Sequence, residues 1–250
     1  MDTDMEPFSY FIGFDARERD AYDVCAFSAQ RKATIPLHIR PLKHRELRER
    51  KLFNRPWLID GETGVFRDQR DGRPFSTEFA FTRFLVPELM GHRGWALFTD
   101  CDMLWLDDIA RLHAELDNSK AVMVVKQTHV PSNTTKMDHM PQQVYHRKNW
   151  SSVIAFNCSH PANRALTPQF VNAAPGQDLH AFSWLPDPLI GELDPGWNFL
   201  VGHTNAKVKP RLMHFTDGGP WFEHMKNVPY AGWWQSEYDH MMRIRGKYEP

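Results

Sequence analysis

Three side chains in this sequence are of the types and placement that bind metal: Asp100, Asp102 and His214. Asp100-Cys101-Asp102 follows the apolar run Trp95 to Thr99. In an extended segment residues i and i+2 point to the same side, so the two carboxylates converge. Paired oxygen ligands suit a hard divalent cation such as Mg²⁺ or Mn²⁺. His214 closes the run Arg211-Leu212-Met213 and opens Phe215-Thr216-Asp217-Gly218-Gly219-Pro220-Trp221, where Gly-Gly-Pro permits close backbone approach to a ligand. Neighbouring strand ends could carry His214 to the Asp pair; the plain alternative is a hydrogen-bonded strand-end histidine. The Asp pair alone is not diagnostic. Nineteen Asp in 250 residues produce about 1.4 Asp-x-Asp pairs by chance, and Asp2-Thr3-Asp4 is one such coincidence.

The elements that must position these groups alternate short apolar runs with amphipathic stretches, the pattern of an α/β domain with a largely parallel sheet. Phe8 to Gly13 reads as a first strand. Arg17 to Lys32 has helical spacing, with Tyr22, Cys25, Ala26 and Ala29 on one face. Leu37 to Ile39 is a second strand, and the basic run Lys43 to Lys51 a solvated helix face. Asn54 to Arg73 reads as turns or a small hairpin. Ser76 or Thr77 is expected to cap a helix through Phe79, Phe81, Phe84 and Leu85 that Pro87 bends or ends. Trp95 to Phe98, Ala121 to Val125 and Val153 to Phe156 are buried strands by their apolar runs, and Arg211 to Phe215 is a final strand. Asp107-Asp108 is expected to cap the helix that follows. Gln127 to Arg147 is long, polar and without period, as binding loops often are. Trp233 to Tyr248 is a terminal helix. No repeat and no linker divides the chain.

Composition narrows the function classes. Thirty Lys+Arg against 31 Asp+Glu give a net charge of −1, which disfavours a dedicated nucleic-acid binder. Cys25, Cys101 and Cys158 form no CxxC pair, which suits a reducing compartment better than a disulfide scaffold or zinc knuckle. The acidic start lacks the basic flank and apolar core of a signal peptide, and no apolar run reaches the roughly 20 residues of a membrane span. The chain reads as soluble and cytoplasmic, with peripheral attachment to a membrane as the variant. GxxxxGK[ST], GxGxxG, GxSxG and HExxH are absent, which lowers P-loop, dehydrogenase, α/β-hydrolase and zincin readings.

Taken in order, the remaining segments resemble glycosyltransferase family 8 and its bacterial relatives, which have the GT-A fold. Tyr10 to Asp15 (YFIGFD) looks like the nucleotide-binding strand and loop, and Thr82 to Leu89 (TRFLVPEL) like the helix whose arginine approaches the donor. Leu97 to Ile109 is similar to the Asp-x-Asp segment, and Ser151 to Asn157 resembles the donor-sugar strand. Gly176-Gln177-Asp178-Leu179 resembles an Asp-Gln-Asp turn, and His214 to Trp221 a terminal His-Phe-x-Gly-x-Lys-Pro-Trp motif. The likeness spans about residues 8 to 222, leaving 223–250 as a helical extension of one catalytic domain covering 1–250. Three positions depart from it: Gly219 replaces a diphosphate-contacting lysine, Gly176 the first acid of Asp-Gln-Asp, and Trp150 an asparagine before the sugar strand.

The resemblance implies a metal-dependent transferase that moves a sugar from a nucleoside diphosphate, UDP foremost, to an acceptor hydroxyl with retention of anomeric configuration. Asp100, Asp102 and His214 would hold the ion, Mn²⁺ ahead of Mg²⁺ because of the imidazole. Gly13, Phe14 and Asp15 would meet base or ribose, Arg83, Asp100 and Gly218 the diphosphate or donor hydroxyls, and Asn157 the sugar. Gln177 and Asp178 would act at the reacting centre. The acceptor would be a glycan, a lipid-linked sugar or a small molecule. Two rival readings stand: a nucleotidyl- or phosphoryl-transferring enzyme, and a silent nucleotide-sugar-binding protein.

Overall fold

Strands buried on both faces build the centre of the computed structural model, which describes residues 6–127, 147 and 149–246, with the backbone of 135–136 and 140–141. In chain order the strands are β1 (Phe8–Gly13), β2 (Leu37–Leu42), β3 (Trp57–Ile59), β4 (Phe66–Asp68), β5 (Pro74–Phe75), β6 (Trp95–Thr99), β7 (Met103–Trp105), β8 (Val122–Val124), β9 (Thr135–Lys136), β10 (Met140–Pro141), β11 (Val153–Asn157), β12 (Ile190–Glu192), β13 (Phe199–Leu200) and β14 (Leu212–His214). The helices are α1 (Arg19–Lys32), α2 (His44–Glu49), α3 (Val86–Leu89), α4 (Ile109–Ala114), α5 (Pro168–Ala173), α6 (Gly176–His180) and α7 (Ala231–Arg245). The main sheet has the order β12-β8-β11-β6-β1-β2. Three of its pairings are parallel (β1 with β2, β1 with β6, β12 with β8), and β11 runs against both neighbours. This is the mixed, mostly parallel α/β architecture that the apolar runs imply.

A second sheet, β13-β14-β7, decides where the metal-binding residue types meet. β14 runs antiparallel to β7 with His214 opposite Met103, and the Phe215 amide donates to the Asp102 carbonyl at 2.9 Å. Two segments more than 100 residues apart in sequence are thus held side by side by backbone register. The third sheet, β3-β4-β5, lies where a hairpin was expected. It is fastened from beneath by Arg55, fully buried, which pairs with Asp68 and donates to the carbonyls of Val171 and Ala174.

Local physics accounts for the departures from expectation. α1 buries Ala21, Val24, Cys25, Ser28 and Ala29, a face rotated by about one residue from the expected stripe, and Tyr22 is half-buried. No helix starts at Ser76 or Thr77: the segment turns, a 3-10 stretch follows at Thr82–Leu85, and Pro87 lies in the first turn of α3 instead of ending a helix. Three large rings close together in sequence, Phe79, Phe81 and Phe84, are all buried in the core from this irregular backbone. Asp108 does cap α4, its carboxylate accepting from the Ala110 amide at 2.9 Å. α7 docks on α1 through Arg31, which donates to both oxygens of Glu237 at 2.7 and 2.6 Å. Cys25, Cys101 and Cys158 are all buried. Most of the long polar segment 127–147 lies outside the described residues.

Candidate functional site

Asp100 leaves β6 with its amide donating to the Ser152 carbonyl at 3.0 Å, so β11 fixes the point where the chain turns. Asp102 follows at the start of β7, and β14 brings His214 across. Asp100 is 9% exposed, Asp102 8% and His214 1%. One ligand atom from each lies within 4.8 Å of the others. His214 Nε2 stands 3.3 Å from Asp102 Oδ2 and is buried without a hydrogen-bond partner among the described residues. Ligand atoms about 2.1 Å from a hard divalent ion and at right angles to each other are about 3.0 Å apart, close to this separation. The chemistry of the donor set, two carboxylates and one imidazole lone pair, therefore fits a divalent ion. Cys101 does not join them: burial pushes its thiol well up, so it stays protonated.

Arg83 is the cation beside this cluster. It is 4% exposed, and Nη1 donates to Asp100 Oδ1 at 2.7 Å and to the Ser151 carbonyl at 2.8 Å. Its guanidinium lies over Phe79 and Phe98, at 5.2 and 4.9 Å from the ring centres. Arg83 and Asp100 both line an open cleft. One wall is the third sheet and its turns, with Asp68, Asp71, Arg73 and Phe75; the opposite wall is Asn149, Ser151, Ser152 and α6. Arg73 Nη1 donates to Gln177 Oε1 across it.

The structure gathers some expected residues here and disperses others. Gln177 faces the cleft with Gly176 and His180, the face that helical spacing selects. Asp178 lies on the other side of α6, exposed and outside the cleft lining. Asn157 lies apart from the cluster: antiparallel pairing puts Val153 opposite Thr99 and Asn157 opposite Trp95, at the far end of the sheet from Asp100. There its amide donates to the carbonyls of Asn118 and Lys120. The Asp15 carboxylate is fully buried, accepting from Arg17 N, Nε and Nη2 and from the Glu78 amide, and so locks a loop. Phe14 packs on Tyr22, and Gly13 is required by Phe79, whose ring would be 2.4 Å from an added Cβ. Gly218 turns the chain after His214 with φ +108°, a conformation reserved for glycine, and is not among the cleft residues. At Gly219 a Cβ would meet Trp221 at 2.2 Å, so a ring fills the space where the resembled family carries its lysine.

Residues not anticipated complete the site. His180 lines the cleft, its Nδ1 2.7 Å from Ser151 Oγ, and its place three residues after Gln177 on a helix was the available signal. Asn198, fully buried, contacts His214 Nδ1 at 2.8 Å, which no local motif announces.

The architecture is that of the GT-A glycosyltransferases. Over 95% of its length the chain superposes on the bifunctional glycosyltransferase WbbM (TM-score 0.55, 14% identity) and over 97% on GlyE of Streptococcus pneumoniae TIGR4 (TM-score 0.59, 12% identity). It superposes over 93% on the galactosyltransferase LgtC, in complex with donor and acceptor sugar analogs (TM-score 0.53, 12% identity). It spans 53% of WbbM and 64% of GlyE, against 96% of LgtC. At these identities the likeness is one of fold. The family is given by sequence: the chain is 41% identical over 242 residues to Protein CDI of Arabidopsis thaliana, covering 95% of this chain and 88% of that protein, and it belongs to the Protein CDI family. No family model matches it.

Proposed function

We propose that the chain is a metal-dependent glycosyltransferase that moves a sugar from a UDP-sugar to an acceptor hydroxyl, with retention of anomeric configuration as in glycosyltransferase family 8. The observation that carries the reading is the convergence of Asp100, Asp102 and His214 beside the cleft that Asp100 and Arg83 line. Breaking the anomeric bond builds negative charge on the departing diphosphate, and an ion at this cluster, Mn²⁺ ahead of Mg²⁺, supplies the Lewis acid that stabilises it. Arg83 holds Asp100 in place and adds positive charge at the cleft wall. Gln177 and His180 present hydrogen-bonding groups to a sugar in the cleft, while Asp68 and Arg73 belong to the wall an acceptor would meet. The entire chain acts as one catalytic unit, α7 bracing α1. None of the described helices is long and apolar enough to cross a membrane; we place the protein in the cytoplasm, with a glycan, lipid-linked or small-molecule acceptor.

One observation favours a second reading. Trp221 fills the space of the diphosphate lysine, as it would in a protein that binds a nucleotide sugar without turning it over. Calorimetry with UDP, GDP, CDP and TDP in the presence of Mn²⁺, followed by a donor-turnover assay, separates the readings. The proposal expects Mn²⁺-dependent UDP binding and release of free UDP from a UDP-sugar. Binding without turnover supports the silent protein, release of pyrophosphate or phosphate supports nucleotidyl or phosphoryl transfer, and no nucleotide binding overturns all three.

A further inference from the structure

We infer that Asn198 is a positioning residue that fixes His214 as the tautomer protonated on Nδ1 and so presents the Nε2 lone pair to a divalent ion. The inference rests on the metal-dependent reading above.

The direction of each hydrogen bond settles the tautomer. An asparagine amide can turn either its oxygen or its NH₂ toward a neighbour, so contact with a histidine nitrogen is ambiguous by itself. Here the other end of the amide resolves it. Asn198 Nδ2 lies 3.0 Å from the backbone oxygen of Asn149, which can only accept. The NH₂ must therefore face Asn149, since the reverse orientation would set two acceptor oxygens against each other in a fully buried place. Asn198 Oδ1 is then the atom 2.8 Å from His214 Nδ1, and an amide oxygen can only accept, so Nδ1 carries the proton. A neutral imidazole has one N–H, which leaves Nε2 with its lone pair.

The alternative tautomer explains why this matters. With the proton on Nε2, the ring would donate to Asp102 Oδ2, 3.3 Å away, in a charge-assisted hydrogen bond. That bond would occupy two metal-ligating atoms at once and close the site. Asn198 opposes it by offering Nδ1–H the only acceptor on that side of the ring among the described hydrogen bonds. Asn198 is itself held: its carbonyl accepts from Gln127 Nε2 at 2.6 Å, and the parallel pairing of β13 with β14 fixes its distance from His214. Asn149, the anchor of the amide, lines the cleft. The histidine's orientation is thus tied to the cleft wall through two hydrogen bonds.

Two measurements test this, one without metal. Two-bond ¹H–¹⁵N correlation spectra of ¹⁵N-histidine-labelled, metal-free protein, with His214 assigned from His214→Gln, should show His214 protonated on Nδ1. Mn²⁺ binding followed by electron paramagnetic resonance should weaken about 10–100-fold in Asn198→Leu, the range for losing such a support. Asn198→Asp keeps an acceptor for Nδ1–H but loses the donor to the Asn149 carbonyl, so it should cost stability while holding Mn²⁺ affinity within about tenfold of wild type. A wild-type His214 protonated on Nε2 overturns the inference, as does Asn198→Leu with wild-type affinity. If Asn198→Leu does not fold, the wild-type tautomer and Asn198→Asp still decide. Wild-type protein that binds no Mn²⁺ sinks the metal reading and this inference with it, whereas wild-type binding left intact in Asn198→Leu sinks the inference alone.

Discussion

Removing Arg55 should detach a wall of the cleft, and the cost can be worked from its contacts. Arg55 Nε and Nη2 donate to Asp68 at 3.0 and 2.5 Å, and Nη1 donates to the carbonyls of Ala174 and Val171 at 2.6 and 3.3 Å. The guanidinium also lies 4.1 Å from the centre of the Phe81 ring. Both partners are essentially buried, at 0% and 1% exposure. Arg55→Met leaves the Asp68 carboxylate buried with the Arg70 amide as its remaining hydrogen-bond donor, at 3.2 Å. An uncompensated buried charge costs about 3–5 kcal/mol, a large part of a typical stability of about 5–15 kcal/mol. Asp68→Asn should cost about 3 kcal/mol, because Arg55 keeps its two carbonyls. In the double variant neither charge is stranded and mainly the two carbonyls lose their donor, so its cost should be about 3–5 kcal/mol, which makes the coupling about 2–3 kcal/mol. Urea unfolding of the four proteins at constant m-value measures this cycle. Additive losses, within about 0.5 kcal/mol, would refute the argument that a buried pair holds β3-β4-β5 in place.

Three further outcomes follow from other parts of the molecule. Gly219→Ala should already lose about 1–3 kcal/mol by thermal unfolding, because Trp221 occupies the Cβ position, and Gly219→Lys should gain no turnover; an improved kcat would refute that. Gln177→Ala should lower kcat of sugar transfer at least about tenfold, while exposed Asp178→Asn leaves it within about twofold, and the reverse ranking would show that the cleft face of α6 is misassigned. Burial, then Arg48 and Arg45, lowers His44 to about 4, and burial raises Glu78, so their 3.6 Å contact joins two groups pushed toward neutrality. Because the unfolded state takes up the His44 proton first, the His44 contribution to stability should fall by about 1–2 kcal/mol as pH drops from about 6.5 to about 4, offset in part by Glu78, whose raised carboxyl takes up its proton first in the folded state. Denaturation across that window should show a slope that His44→Phe flattens, and an unchanged slope would contradict the assignment.

How much was legible in the sequence depended on whether the signal was local. Apolar runs too rich for a solvated face marked β1, β6, β8, β11 and β14, because strands covered on both faces have no polar side to show. The Asp100/Asp102 pair and His214 were legible from their places at strand ends. Asn157 and Asp15 were not, for a shared reason: a polar residue at the end of a strand reads the same whether it faces a ligand or ties off a neighbouring backbone. Asn157 serves the carbonyls of Asn118 and Lys120, and Asp15 serves its near neighbour Arg17 and the distant Glu78 amide, which only the fold brings near. β12 was missed because Ile190-Gly191-Glu192 carries no apolar run, and β13 because two residues carry no readable period. Asn198 has no local signal at all, since its role exists only through the β13–β14 pairing.

The most direct test of the central claim is Mn²⁺ binding to wild type, Asp102→Ala and His214→Ala, read by electron paramagnetic resonance with and without UDP. The account predicts one bound ion per wild-type chain, bound more tightly when UDP is present. Each single variant should lose most of that affinity, and the double variant should be little worse, because groups that hold one ion fail together. An ion that binds equally well to His214→Ala, or losses that multiply in the double variant, would contradict a shared site at Asp100, Asp102 and His214.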